Sequence, residues 1–155
     1  MSEQPPTEEL LGHHLPYEID QMFCSLTMLG EVQVPSEWSR RDDWQKKLNN
    51  ALMESFYVHA RVLFEFFEKR KGARKYTVAG YQPFKGVDVS GWIRKLNNQV
   101  AHLLDGRTKD DSHKIGGQDR IDMYNALIRE VSVFKSALKP EFASLRNSIP
   151  TPPVV

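Results

Sequence analysis

DDWQKKLNNALMESFYVHARVLFEFFEK, residues 42 to 69, reads as one long helix whose pattern decides the fold class. The helix begins near Ser39 or Asp42 and ends near Lys69, a rod of roughly 42 Å at 1.5 Å per residue. With Leu52 at the origin of a 100° wheel, the apolar arc runs through Leu48, Ala51, Met53, Phe56, Tyr57, Val58, Ala60, Val62, Leu63, Phe64, Phe66 and Phe67. That arc covers well over half the circumference, leaving a stripe of Asn50, Glu54, Arg61, Glu65 and Glu68. A helix this apolar is predicted to be surrounded by others on most sides. His59, inside the arc, reads as a hydrogen-bonded core histidine, and Arg61 with Glu65 as an ordinary surface ion pair.

Working back from this spine, Ile19, Met22, Phe23, Leu26 and Leu29 repeat at helical spacing between Pro16, suited to a first turn, and Gly30, suited to a stop. Cys24 falls in this run and reads as a buried structural thiol. A connector over residues 31 to 41 carries Trp38, predicted to cap one end of the core by packing. Residues 1 to 14 read as a flexible lead-in with one short helical turn around Glu8 to Leu11. The adjacent His13 and His14 point to different sides of such a turn and read as solvated.

Working forward, residues 69 to 87 break the helical pattern with Gly72, Gly80, Pro83 and Gly86. A small hairpin within residues 77 to 89 would be a minor feature. Lys69, Arg70, Lys71, Arg74 and Lys75 make the start of this loop basic, and Tyr76, Tyr81 and Phe84 follow. Basic residues beside aromatics can hold a phosphate backbone and stack bases; the alternative is a solvated turn whose aromatics fold onto the helices.

Next comes DVSGWIRKLNNQVAHLLDGR, residues 88 to 107, an amphipathic helix with Asp88 or Ser90 as cap. Trp92, Ile93, Leu96, Val100, Leu103 and Leu104 share its apolar arc, while Arg94, Asn98 and His102, spaced i, i+4, i+8, share the opposite face. A charged, glycine-ended loop over residues 107 to 117 contains His113 and reads as solvated. A fourth helix, from Gln118 or Asp119 to Leu138, carries Ile121, Tyr124, Leu127, Ile128, Val131 and Phe134 on one face and stops at Pro140. Residues 140 to 155 read as a proline-rich tail, mobile or laid on a partner, with one short turn around Phe142 to Leu145. Four helices without a convincing strand predict an all-α, up-and-down four-helix bundle, its domain spanning residues 15 to 139.

Whole-chain properties narrow the function. A chain of 155 residues fits one domain, and a net charge of +1 argues against a strongly basic nucleic-acid binder while leaving room for a local patch. The absence of a run of roughly 20 apolar residues argues against membrane insertion. A single cysteine agrees with a reducing, cytoplasmic setting. No histidine pair has metal-ligand spacing, and neither a phosphate loop nor a nucleophile elbow is present, so the pattern calls for no metal and no cofactor.

The Arg94, Asn98, His102 face remains. Histidine exchanges protons near neutral pH and arginine holds phosphate bidentately, the parts for metal-free phosphodiester cleavage. Eight residues span about 12 Å, so Arg94 and His102 meet on one phosphate only if the arginine leans far or a second subunit contributes. In NALMESFYVHARVLFEFF (50 to 67) and WIRKLNNQVAHLL (92 to 104) the chain resembles the bacterial abortive-infection branch of the HEPN superfamily. That resemblance implies an up-and-down helical bundle, homodimerisation, and a composite ribonuclease site built from an arginine followed, after four to six residues, by a histidine. His102 matches the motif's histidine and Asn98 its preceding polar residue. Arg94 departs from the motif, since the seven residues 95 to 101 intervene, and Asn97 stands five before the histidine. The resemblance implies a homodimer that binds RNA or a nucleotide, as a metal-independent ribonuclease in stress or phage defence or as a degenerate binding module. A helical oligomerisation or interaction protein with a protein partner is the alternative.

Overall fold

The computed structural model describes residues 7–69, 71–101 and 114–155, apart from the side chains of 100 and 101. The described residues are all helix and loop, with one isolated bridge between Thr77 and Leu138. Four helices organise them: α1 (Leu15–Met28), α2 (Arg41–Glu68), α3 (Ser90–Ala101) and α4 (Gly117–Ala137). No helix among them is long and apolar enough to cross a membrane.

Helix α2 spans 28 residues, as its periodicity predicts. Phe56, Ala60, Leu63, Phe64 and Phe67 fill the centre of the core, facing Met123, Leu127, Val131 and Phe134 of α4 and Leu96 of α3. The Phe134 ring lies 5.5 Å from Phe66 and 5.7 Å from Phe67, both edge-on, the arrangement the ring quadrupoles favour.

Side-chain contacts give the helix directions. Ser25 of α1 donates to Ser55 (2.8 Å), and Glu18 meets His59 (2.7 Å), so α1 and α2 run antiparallel. Arg120 donates to the Tyr57 hydroxyl and Phe134 packs on Phe67, so α4 runs parallel to α2. Lys95 reaches Asp119 at 2.7 Å near the start of α4, while Trp92 lies beside Asn125 and Arg129, so α3 opposes α4.

Several sequence expectations need correction. The lead-in is helical from Thr7: an α turn (Thr7–Glu9) enters a π segment (Leu10–His14), where Leu15 N–H donates to the Leu10 carbonyl. Leu11 is fully buried, and its burial with Leu15 draws this segment onto the core. His13 and His14 are exposed, and His14 lies 3.4 Å from Glu9. Trp38 caps nothing; it is 54% exposed on a turn where its N–H donates to the Pro35 carbonyl. Cys24 is exposed, because it lies on the side of α1 opposite the buried Leu15, Ile19 and Met22.

The surplus apolar arc of α2 is uncovered in part: Val58 and Val62 are 45% and 41% exposed. Helices α1, α3 and α4 occupy the other sides, and none of the described chain closes this one. Likewise the tail is not free. Residues Pro140–Ser148 form a 3-10 helix, Ile149 is buried, and the chain beyond lies along α4. There the Tyr124 hydroxyl donates to the Pro153 carbonyl (2.7 Å), Asn125 makes two hydrogen bonds with the Val155 backbone, and Lys135 Nζ holds the Ile149 carbonyl. No hairpin forms within the 77–89 loop; Val78 N–H instead donates to Ala137, and Lys139 N–H to Tyr76.

Candidate functional site

The first turns of α3 form one wall of an open groove of about 560 Å³. Arg94, Asn97 and Asn98 project from α3, Glu68 closes the end where α2 stops, and Phe84, Val89 and Ile93 give an apolar floor. Helix α3 starts here because Asp88 accepts the Ser90 N–H at 2.9 Å, capping orphan donors of the first turn. Hydrogen bonds from the Ser90 hydroxyl and N–H hold the Asp88 carboxyl below its ordinary range, and the Arg94 charge adds to this. Arg94 is exposed and Asn98 half-buried, one helical turn apart on the same face. The groove thus offers one guanidinium, two amides and two carboxylates above a greasy floor.

Of the predicted catalytic set, Arg94 and Asn98 share this wall, whereas His102 lies outside the described residues, as do Leu103, Leu104, His113 and Arg70. Asn97, Glu68 and Asp88 join the groove without having been singled out as ligand contacts. Asn97 stands five before His102 and one before Asn98, so the wheel alone could have included it.

The basic turn follows directly on Glu68. Lys69 ion-pairs with Glu65 at 2.6 Å, a contact that, first among several causes, lowers the Glu65 carboxyl. Arg61 reaches the same carboxylate at 3.3 Å, as its i, i+4 spacing predicts. Lys71, Arg74 and Lys75 are exposed, and Lys75 Nζ sits 5.3 Å from the Tyr76 ring. The turn is tight at Gly72, where a Cβ would run into the Phe66 carbonyl. Its aromatics fold inward: Tyr76 and Phe84 are buried, and Tyr81 is half-buried. Charge is therefore available at this turn, while the faces needed to stack bases are largely spent on the core.

A third feature lies behind the groove floor. Glu130 of α4 is 4% exposed; its carboxylate accepts the Phe84 N–H at 2.7 Å and the Tyr81 hydroxyl. Phe84 has a left-handed backbone, φ 50°, which the Glu130 contact helps to hold. Burial, then the Glu130 hydrogen bond, pushes the Tyr81 phenol well above its ordinary value. Glu130 thereby fixes the loop that carries the groove floor. Its signal was in the sequence: an acid three residues after Leu127 and four before Phe134 borders the apolar arc of α4.

His59 is hydrogen-bonded through Nδ1 to Glu18, as a histidine in an apolar arc is expected to be, and Tyr17 sets its ring edge-on against it. Among the described residues no three His, Cys, Asp or Glu side chains converge as metal ligands would. Compared with protein-family models, curated proteins and solved structures, the chain matches none.

Proposed function

We propose that this chain is a cytoplasmic, HEPN-like up-and-down four-helix bundle that binds RNA or a nucleotide in the groove beside α3. The observation that carries the reading is Arg94 standing exposed with Asn97 and Asn98 over the apolar floor of Phe84 and Ile93. A guanidinium offers a phosphate two parallel N–H donors. The amides can donate to and accept from a base edge or ribose hydroxyl, and the floor suits the flat face of a base. Glu68 and Asp88 oppose a bare polyphosphate but accept hydrogen bonds from hydroxyl or amino groups. Mixed charge therefore favours a nucleotide unit over a simple anion. Lys71, Arg74 and Lys75 extend the contact to neighbouring phosphates of a longer strand.

In the ribonuclease form of this reading, His102 moves the proton and Arg94 stabilises the charge developing on phosphorus oxygens. Purified protein incubated with mixed RNA in EDTA tests both levels. Cleavage by wild type and not by His102→Ala supports the enzyme. Binding without cleavage supports the module. For a single-strand ligand, losing the Arg94 contact reduces the salt slope by about 0.7; affinity and slope unchanged in Arg94→Ala would sink the groove proposal. The second reading, an interaction protein, is favoured by the exposed valines of α2.

A further inference from the structure

On the solvent side of α2, Trp44, Ala51, Val58 and Val62 fall within roughly 40° of one another at 100° per residue. All four are exposed, Val58 and Val62 at the middle of the helix. Beside them α1 turns out Tyr17, Cys24 and Met28, likewise exposed and spaced i, i+7, i+11. Because α1 and α2 are antiparallel neighbours, the two rows form one surface, joined where Tyr17 meets His59, the residue after Val58. An apolar strip two helices wide is more than scattered surface residues need.

Charges along its edge identify what covers it. Lys47, Glu54, Arg61 and Glu68 recur every seven residues, alternating in sign, and a seven-residue step drifts only about 20° on an α-helix. They therefore line a single edge of the strip. A second copy laid parallel would turn this edge against the partner's opposite edge, the one beside α1, and leave the four charges without one another. Laid antiparallel, with the two-fold between Tyr57 and Val58, Lys47 faces Glu68 and Glu54 faces Arg61, and each pair occurs twice. Glu54 makes no ion pair or hydrogen bond among the described residues, and Arg61 spends only its Nε on Glu65. The pattern is self-complementary in one direction only.

We infer that this face is the interface of a two-fold homodimer in which α2 packs antiparallel on α2 of a second copy, with Val58 at the axis. The contacts Ser25 to Ser55 and Glu18 to His59 put Gln21 level with the same axis, so Tyr17 meets Cys24 of the second copy. Lys47 of the second copy comes opposite Glu68, adding a cation at the rim of the groove. The inference rests on the strip and its charges, and stands whether or not the groove binds RNA.

The test is sedimentation of the full chain over a range of concentrations, with circular dichroism as the check on folding. Wild type is expected at twice the 17.9 kDa chain mass, and Val58→Asp at the monomer mass with an unchanged helical spectrum. Glu54→Arg and Arg61→Glu each weaken association by about tenfold, because every contact is lost twice; the double exchange restores it. In a Cys24→Ser background, Val58→Cys oxidises to a covalent dimer and Lys47→Cys does not. Wild type monomeric throughout overturns the inference. So does a dimer indifferent to the single charge reversals, or one that the double exchange fails to rescue.

Discussion

Glu130 and Val58 break the same rule in opposite directions. Glu130 is a charged residue at the border of an apolar arc and is buried; Val58 is an apolar residue inside an apolar arc and is exposed. Glu130 is satisfied within the chain, because the Phe84 N–H and Tyr81 hydroxyl come to it. Val58 finds no cover among the described residues. The pair teaches that a helical arc reports what a position prefers, while its neighbours decide whether the preference is met. A buried acid with two donors is complete, whereas an uncovered valine leaves its surface open to another molecule.

The sharpest way to break that contrast is Glu130→Ala, which leaves a buried N–H and hydroxyl without an acceptor and is expected to cost about 3 kcal/mol in denaturant unfolding. Loss below about 1 kcal/mol would mean that water or another group takes over. Val58→Ser and Val62→Ser in the monomer should change stability by no more than about 0.5 kcal/mol, so equal losses at both sites would erase the comparison. Tyr81→Phe removes one of the two Glu130 contacts and is expected to cost about 1 kcal/mol, with α4 otherwise intact by chemical shift.

Lys95 and Asp119 give the comparison a pH axis. The Lys95 hydrogen bond, foremost, lowers the Asp119 carboxyl below 3.8. A depressed acid stabilises the fold above its unfolded value and loses that contribution as pH falls through the folded one. Lys95→Met should therefore flatten the acid limb of the stability curve below about pH 4, by no more than about 1 kcal/mol for a partly exposed pair. An unchanged acid limb would show that Asp119 gains nothing from Lys95. Smallest is Asn125→Ala, worth a few tenths of a kcal/mol and read as faster amide exchange at Val155 with α4 unaffected.

Periodicity made α2 and α4 legible almost to the residue, since apolar side chains at 3.6-residue spacing have one economical arrangement. It could not say which part of an oversized arc stays uncovered, because that depends on how many helices the chain supplies, and the exposure of Val58 and Val62 was illegible for this reason. The exposure of Trp38 was illegible because ring size says nothing of position, and no periodic neighbour brings this ring to the core. In the groove, Arg94 and Asn98 were legible as one face of α3. Glu68 and Asp88 were not, because they arrive from a helix end and a loop whose meeting is a tertiary event. The tail was opaque because its anchors, Tyr124, Asn125 and Lys135, sit on a distant helix.

Ile149 carries a kinetic consequence. It is buried in the same core as Phe56 and Tyr124, yet it lies beyond α4 and its 3-10 extension. During synthesis at about 5–20 residues per second, Ile149 follows Leu138 by roughly a second. Helices and short loops equilibrate in microseconds. The core around Phe56 and Tyr124 is therefore incomplete until a residue made after all four helices is added to it.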